Sequence, residues 1–190
     1  MVSKTGNQGF ALLLTLVVIS VVLAIGLSLL NITVKQFTLS ATTRDSELAF
    51  HAANTGAECM QEAALSIDVV GVGAPNPLAV ECAGVARSIT RDTPSPRVFQ
   101  YSAVGATNGI SWSADSRTAN NTVCTEVDFF ILDASSFNTT FDFRANGYGI
   151  DAQTCDDGRV CSYIFARGYN RPCDQLTGLR VVQRELTLSF

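Results

Sequence analysis

Charge is scarce in this chain. Only 16% of its 190 residues are Asp, Glu, Lys or Arg, against about 25% in ordinary globular proteins. Lysine is nearly missing, with Lys4 and Lys35 alone, and no basic run occurs anywhere. Thirteen basic against seventeen acidic residues leave a net charge of −4. A protein that neutralises phosphates needs clustered cations, so no nucleic-acid partner is expected. Histidine is single. Ser-His-Asp and Cys-His catalysis would both depend on His51, which sits beside Ala52 in a helical pattern where a surface histidine is ordinary. No CxxC, HExxH, phosphate-binding Gly loop or dinucleotide fingerprint is present, so neither an enzyme nor a cofactor nor a metal is expected. Asp151, Asp156 and Asp157 depart from the EF-hand spacing and read as an acidic turn. Proline is absent before Pro75 and cysteine before Cys59. Aromatics are not lacking: eleven Phe, four Tyr and one Trp supply a core, which excludes disorder for most of the chain.

What the chain has in excess is a hydrophobic run. From Phe10 to Val34 there is no charged residue, and the stretch reads FALLLTLVVISVVLAIGLSLLNITV. It accounts for a mean hydropathy of +0.23 despite a pI near 4.9. An apolar helix of about 20 residues spans a bilayer, so this one suffices. Leu, Val and Ile occur all round it, as on a lipid-facing helix. Before it lies the polar stretch MVSKTGNQG, with its one positive charge at Lys4. A cleaved secretory signal needs a shorter apolar core followed by small residues. Val22-Leu23-Ala24 meets that poorly, since the apolar run continues past it. An uncleaved signal-anchor is the plain alternative.

Beyond Val34 the pattern becomes amphipathic. Phe37, Ala41, Leu48, Ala52, Cys59 and Ala63 are spaced 4, 7, 4, 7, 4, which predicts one helical face. Lys35, Arg44, Asp45, Glu47, Glu58 and Glu62 fall mostly off that stripe. With Gly56 as the one weakening residue, a single helix is predicted from Phe10 to about Leu65, roughly 80 Å long. The predicted organisation is residues 1–9 as a leader, 10–34 as the membrane part of the helix and 35–65 as its amphipathic part. Residues 66–97, rich in Gly, Ala, Pro and Ser, read as a connecting loop with short ordered pieces. Residues 98–190 read as a β-rich head. Strand-like runs occur at 98–104, 123–132, 137–144 and 161–167. The last run, 180–190, places Val182, Leu186, Leu188 and Phe190 on one side. One long helix followed by several strands predicts an α+β fold with an antiparallel sheet.

A polar leader ending in Gly9, then Phe10, then a long apolar helix resembles the type IV pilins and pseudopilins. The resemblance covers about the first 65 residues; the run CSYIFARGYN with GLRVVQRELTLSF is more loosely similar to the closing strands of PilX-type minor pilins. It implies cleavage between Gly9 and Phe10 by a prepilin peptidase, N-methylation of Phe10, and assembly with other pilin subunits through the N-terminal helix. It also implies a cytoplasmic-membrane precursor with its head outside, and a bacterial extracellular filament after assembly. Most members carry a glutamate at the fifth residue after the cut, whose carboxylate meets a neighbour's N-terminal ammonium. This chain has Leu14 there. The members that lack the glutamate are chiefly minor subunits, so the resemblance implies a minor or tip position in a type IV pilus or a type II secretion pseudopilus. A single-pass anchored extracellular binding or adhesion domain that never polymerises is the competing reading.

Cys59, Cys82, Cys124, Cys155, Cys161 and Cys173 all follow the apolar run, and an even count in an exported domain predicts disulfides. Cys59 lies on the apolar stripe and Cys82 is next along the chain, which favours Cys59–Cys82. Cys155 and Cys161 flank Asp156-Asp157-Gly158, a turn that would let them close a hairpin and leave Cys124–Cys173. Cys124–Cys155 with Cys161–Cys173 is the alternative, enclosing a C-terminal loop as many pilins do. Asn31, Asn120 and Asn138 begin N-x-T sequences that read as accidental.

Overall fold

The structure is a computed structural model that describes residues 8–66, 76–82, 84–104, 109–113, 122–178 and 180–190. One helix, α1, runs Gln8–Ser66. The chain divides into two compact units, Met1–Arg44 and Asp45–Phe190.

The first unit is helical throughout its described part. Its apolar side chains, from Phe10 to Leu39, are exposed on every side of the helix. Six of its hydroxyls are turned back onto the helix itself. Thr15 donates to the Leu12 carbonyl, Ser20 to Val17 and Thr33 to Leu29, each at 2.8 Å. A side chain that satisfies itself this way does not oppose an apolar environment.

In the second unit the helix from Asp45 onward lies on an antiparallel sheet. The strands are β1 (Leu78–Cys82), β2 (Val85–Ile89), β3 (Arg91–Ser95), β4 (Val98–Ala103), β5 (Ile110–Ser113), β6 (Thr122–Ala134), β7 (Thr139–Phe141), β8 (Gln153–Cys155), β9 (Arg159–Tyr169) and β10 (Gln183–Ser189). The main sheet has the order β10-β9-β6-β4-β3, and β5 continues the line of β4 along the same edge of β6. β1–β2 and β7–β8 are separate two-stranded pairs. This is the α+β arrangement that the resemblance implies: a long N-terminal helix and a C-terminal antiparallel sheet.

The central strand β6 explains the layering. Nearly all of its 13 residues are buried, without alternation. A strand buried on both faces must be covered on both. Val127, Phe129 and Ile131 pack with Ala57, Met60 and Ala64 of α1 and with Leu78, Val80 and Ile89 of the β1–β2 hairpin. On the opposite face Phe130, Leu132 and Ala134 pack with Phe141, Phe143 and Cys155, and Tyr148 and Ile150 close over them. That outer layer is aromatic and mostly edge-to-face, as ring quadrupoles prefer. Phe130 meets Phe143 at 5.2 Å and 88°, and Tyr148 at 5.0 Å and 85°.

Several expectations need correction. The buried helical stripe is Ala49, Ala52, Ala53, Ala57, Met60 and Ala64. Of the predicted stripe only Ala52 is buried; Ala41, Leu48, Cys59 and Ala63 are half-buried at its margin and Phe37 is 77% exposed. The predicted connecting loop at 66–97 contains β1, β2 and β3, and β3 belongs to the main sheet. The strand expected over 137–144 is only three residues long, because it pairs with the equally short β8. In β10 Leu186 and Leu188 are half-buried as the alternation predicts, while Val182 and Phe190 lie outside the strand.

Candidate functional site

Gly9 is in the first turns of α1, and Phe10 follows with 73% of its surface exposed. Gln8 opens the same helix, and residues 1–7 of the predicted leader lie outside the described residues. Leu14 is four residues on, so it shares a helical face with Phe10, and it too is exposed. An 18-residue window of α1 has a mean hydropathy of 3.0 and is 0% buried, so the helix is long and apolar enough to cross a membrane. Water is a poor medium for such a surface, at about 25 cal/mol per Å² of apolar area. Leu14 adds to that surface where a carboxylate would add a charge needing a partner in low dielectric.

In the head, helix and sheet approach through their smallest residues. A Cβ on Gly168 of β9 would lie 2.0 Å from the Ala49 carbonyl oxygen and 2.2 Å from the Ala53 nitrogen. A Cβ on Gly56 would lie 2.0 Å from Thr125 Cγ2. Gly56 therefore serves packing, though alone it weakens a helix. The buried Thr125 hydroxyl donates to the Ala52 carbonyl at 2.7 Å, a cross-link between sheet and helix backbone. Arg184 of β10 reaches the Ser46 hydroxyl from Nη2 and Nε, at 2.7 and 2.9 Å.

The outer sheet face carries a polar cluster beside its aromatic core. Glu126 and Asp128 are buried on β6, two residues apart and so on one face. Arg167 of β9 donates to Asp128 at 2.7 Å and lies 3.9 Å from Glu126. The Ser102 hydroxyl also donates to Asp128, and the Gln100 amide donates to the Tyr148 hydroxyl at 3.1 Å. Tyr169 donates to Glu126 at 2.9 Å. Burial, and then that bond to a carboxylate, push the Tyr169 phenol up to about 12. Burial and the nearby Asp128 push Tyr148 up as well. One cation facing two carboxylates holds the sheet face together, though the buried Arg167 Nε has no hydrogen-bond partner.

The six cysteines form Cys59–Cys82, Cys124–Cys173 and Cys155–Cys161, with Cα separations of 5.5, 4.9 and 5.8 Å. This is the first of the two pairings that the sequence left open. Cys59–Cys82 ties α1 to the β1–β2 hairpin, and Cys124–Cys173 ties β6 to the segment between β9 and β10. Cys155–Cys161 does not close a hairpin of adjacent strands. It joins β8 of the outer pair to β9 of the main sheet, across the turn that holds Gly158 at φ +79°.

The sequence-level metal and catalytic candidates stay apart. Asp151 pairs with Arg144 at 3.0 Å rather than joining Asp156 and Asp157. Among the described residues no group of three or more His, Cys, Asp or Glu is placed to hold a metal ion. His51 is exposed on the helix beside Phe50. Of the N-x-T asparagines, Asn120 lies outside the described residues. The Glu126–Arg167–Asp128 cluster went unrecognised in sequence, although two acids two apart inside an apolar strand are a legible signal of a buried ion pair. The chain matches no protein-family model, no curated protein and no solved structure.

Proposed function

We propose that this chain is a minor subunit of a type IV pilus or type II secretion pseudopilus, structural rather than enzymatic, with a place at or near the tip. The observation that carries the reading is the uncharged stretch of α1 from Phe10 to Val34, directly after Gly9, with its apolar side chains exposed all round. In the precursor that surface rests in the cytoplasmic membrane with the disulfide-bonded head outside. Cleavage after Gly9 by a prepilin peptidase, with methylation of Phe10, prepares the helix to move from lipid into a bundle of other subunits' helices. Lipid and bundle are both apolar, so packing and polar contacts supply the driving force of that exchange. Leu14 brings no carboxylate to a neighbour's ammonium, which suits a subunit with none ahead of it.

The test is mass spectrometry of the membrane-extracted chain, co-expressed with an active or an inactive prepilin peptidase. The expected result is a methylated N-terminus at Phe10 that depends on the active enzyme. An intact Met1 terminus in both samples sinks the proposal and leaves an anchored extracellular domain that does not polymerise.

A further inference from the structure

At the end of β6 away from Thr125, three turns are locked together around one exposed ring. The first joins β3 to β4 through Pro96 and Arg97, with Ser95 and Val98 paired across it. The second is Ser135–Asn138, which follows β6, and the third is Asp156–Gly158. Buried Asp133 holds the first two. Its N–H donates to the Arg97 carbonyl at 2.9 Å, its carboxylate accepts the Ser135 N–H at 3.0 Å, and its carbonyl accepts the Thr139 hydroxyl at 2.7 Å. The third turn is tied in by Gly158 N–H to the Ala134 carbonyl and Asp157 N–H to Asn138 Oδ1, both 2.7 Å. The product of this bracing is Phe137, which is 68% exposed with the Arg97 guanidinium 4.9 Å from its ring centre. A core would bury that ring, and a solvated turn would do without it.

Arg97 is itself out of place. Its φ is +65°, in the position of a proline-led two-residue turn that favours glycine. An arginine there accepts backbone strain, and its side chain is spent on one face of an exposed phenylalanine.

We propose that this platform binds a neutral glycan, with Phe137 stacking on the apolar C–H face of a sugar ring. The surroundings select the ligand. Ser135, Ser136, Asn138, Asp156 and Asp157 are all exposed in the same linked turns and offer small donors and acceptors to a rim of hydroxyls. Arg97 over the ring and the exposed Arg159 offset the two carboxylates, so the surface has no excess of either sign to select an ionic ligand. A protein partner would need about 800 Å² with an apolar centre, whereas Phe137 is the one large exposed apolar side chain in these turns. The proposal does not depend on filament assembly.

The test is affinity electrophoresis of the full, unprocessed chain in detergent micelles. The gels contain a β-glucan, a mannan or a galactan, with an acidic polysaccharide as a parallel gel. Wild type should be retarded in at least one neutral gel, and Phe137→Ala should lower the affinity about tenfold. Arg97→Gly, which relieves the positive φ, should keep or raise the thermal midpoint yet lose retardation. No retardation in any neutral gel overturns the proposal. So does retardation only by the acidic polymer, or retardation that either substitution leaves at wild-type strength. Because cleavage plays no part, failure here and failure of the pilin reading are separate results.

Discussion

Two residues show how narrow the tolerances are. Gly168 has no room for a methyl group, because the atoms facing it are helix backbone, which cannot rotate aside. Gly168→Ala should therefore cost about 3 kcal/mol or prevent folding; denaturant unfolding of the full chain in detergent measures it. Tyr169 acts through its proton. Its phenol titrates at about 12 against 10.0 for a free one, so the folded state keeps a proton that the unfolded state releases. Stability from this group is complete below pH 10 and falls as pH rises towards 12. In Tyr169→Phe that part of the alkaline decline should disappear, read from unfolding midpoints across the same range. An unchanged decline would assign it to other groups.

At the scale of elements, the sheet is held on its outer face by charge and on its inner face by a seam of small residues. Arg167 serves both Asp128 and Glu126. Arg167→Leu leaves two buried carboxylates with no cation, an expected loss of about 3–5 kcal/mol. Adding Asp128→Asn and Glu126→Gln to it should recover part of that loss, and unfolding of the triple variant against the single one checks this. The hairpin β1–β2 depends on a different fastening. Cys59–Cys82 closes a separation of 23 residues, and replacing both with Ser should cost about 3 kcal/mol. These elements were unequally legible. β4, β6, β9 and β10 announced themselves by apolar or alternating runs. β1, β2 and β3 did not, since LAVEC and VARSI are short and set among Gly and Pro, and Arg91–Ser95 has no apolar residue at all. Its pairing with β4, not its own composition, makes β3 a strand.

At the scale of the whole molecule, the proposed role turns on Leu14. If the missing carboxylate keeps this subunit rare, Leu14→Glu should raise its copy number in sheared filaments several-fold, counted by quantitative mass spectrometry against the major subunit. An unchanged count would detach Leu14 from the tip assignment. The glycan platform makes an independent demand, since substitutions around Phe137 should leave processing and incorporation untouched. Its residues were not visible as a site in the sequence. Arg97, Asp133 and Phe137 are separated by up to 40 positions, and only the register of β4 on β6 brings the turns together.

The sequence by itself determined the apolar helix, the absence of catalytic and metal motifs, and the α+β class. These rest on local quantities: runs of one kind of side chain, their period, and missing residue types. Tertiary structure alone decided which helical stripe is buried, because Ala and Gly carry too little hydrophobic contrast to mark a face until a sheet is pressed against it. It decided the disulfide partners, because pairing follows distance in space and not order along the chain. It decided, too, that Glu126 and Asp128 are buried and Phe137 is exposed. Each inverts the preference of its residue type, and only neighbours from distant strands make that inversion stable.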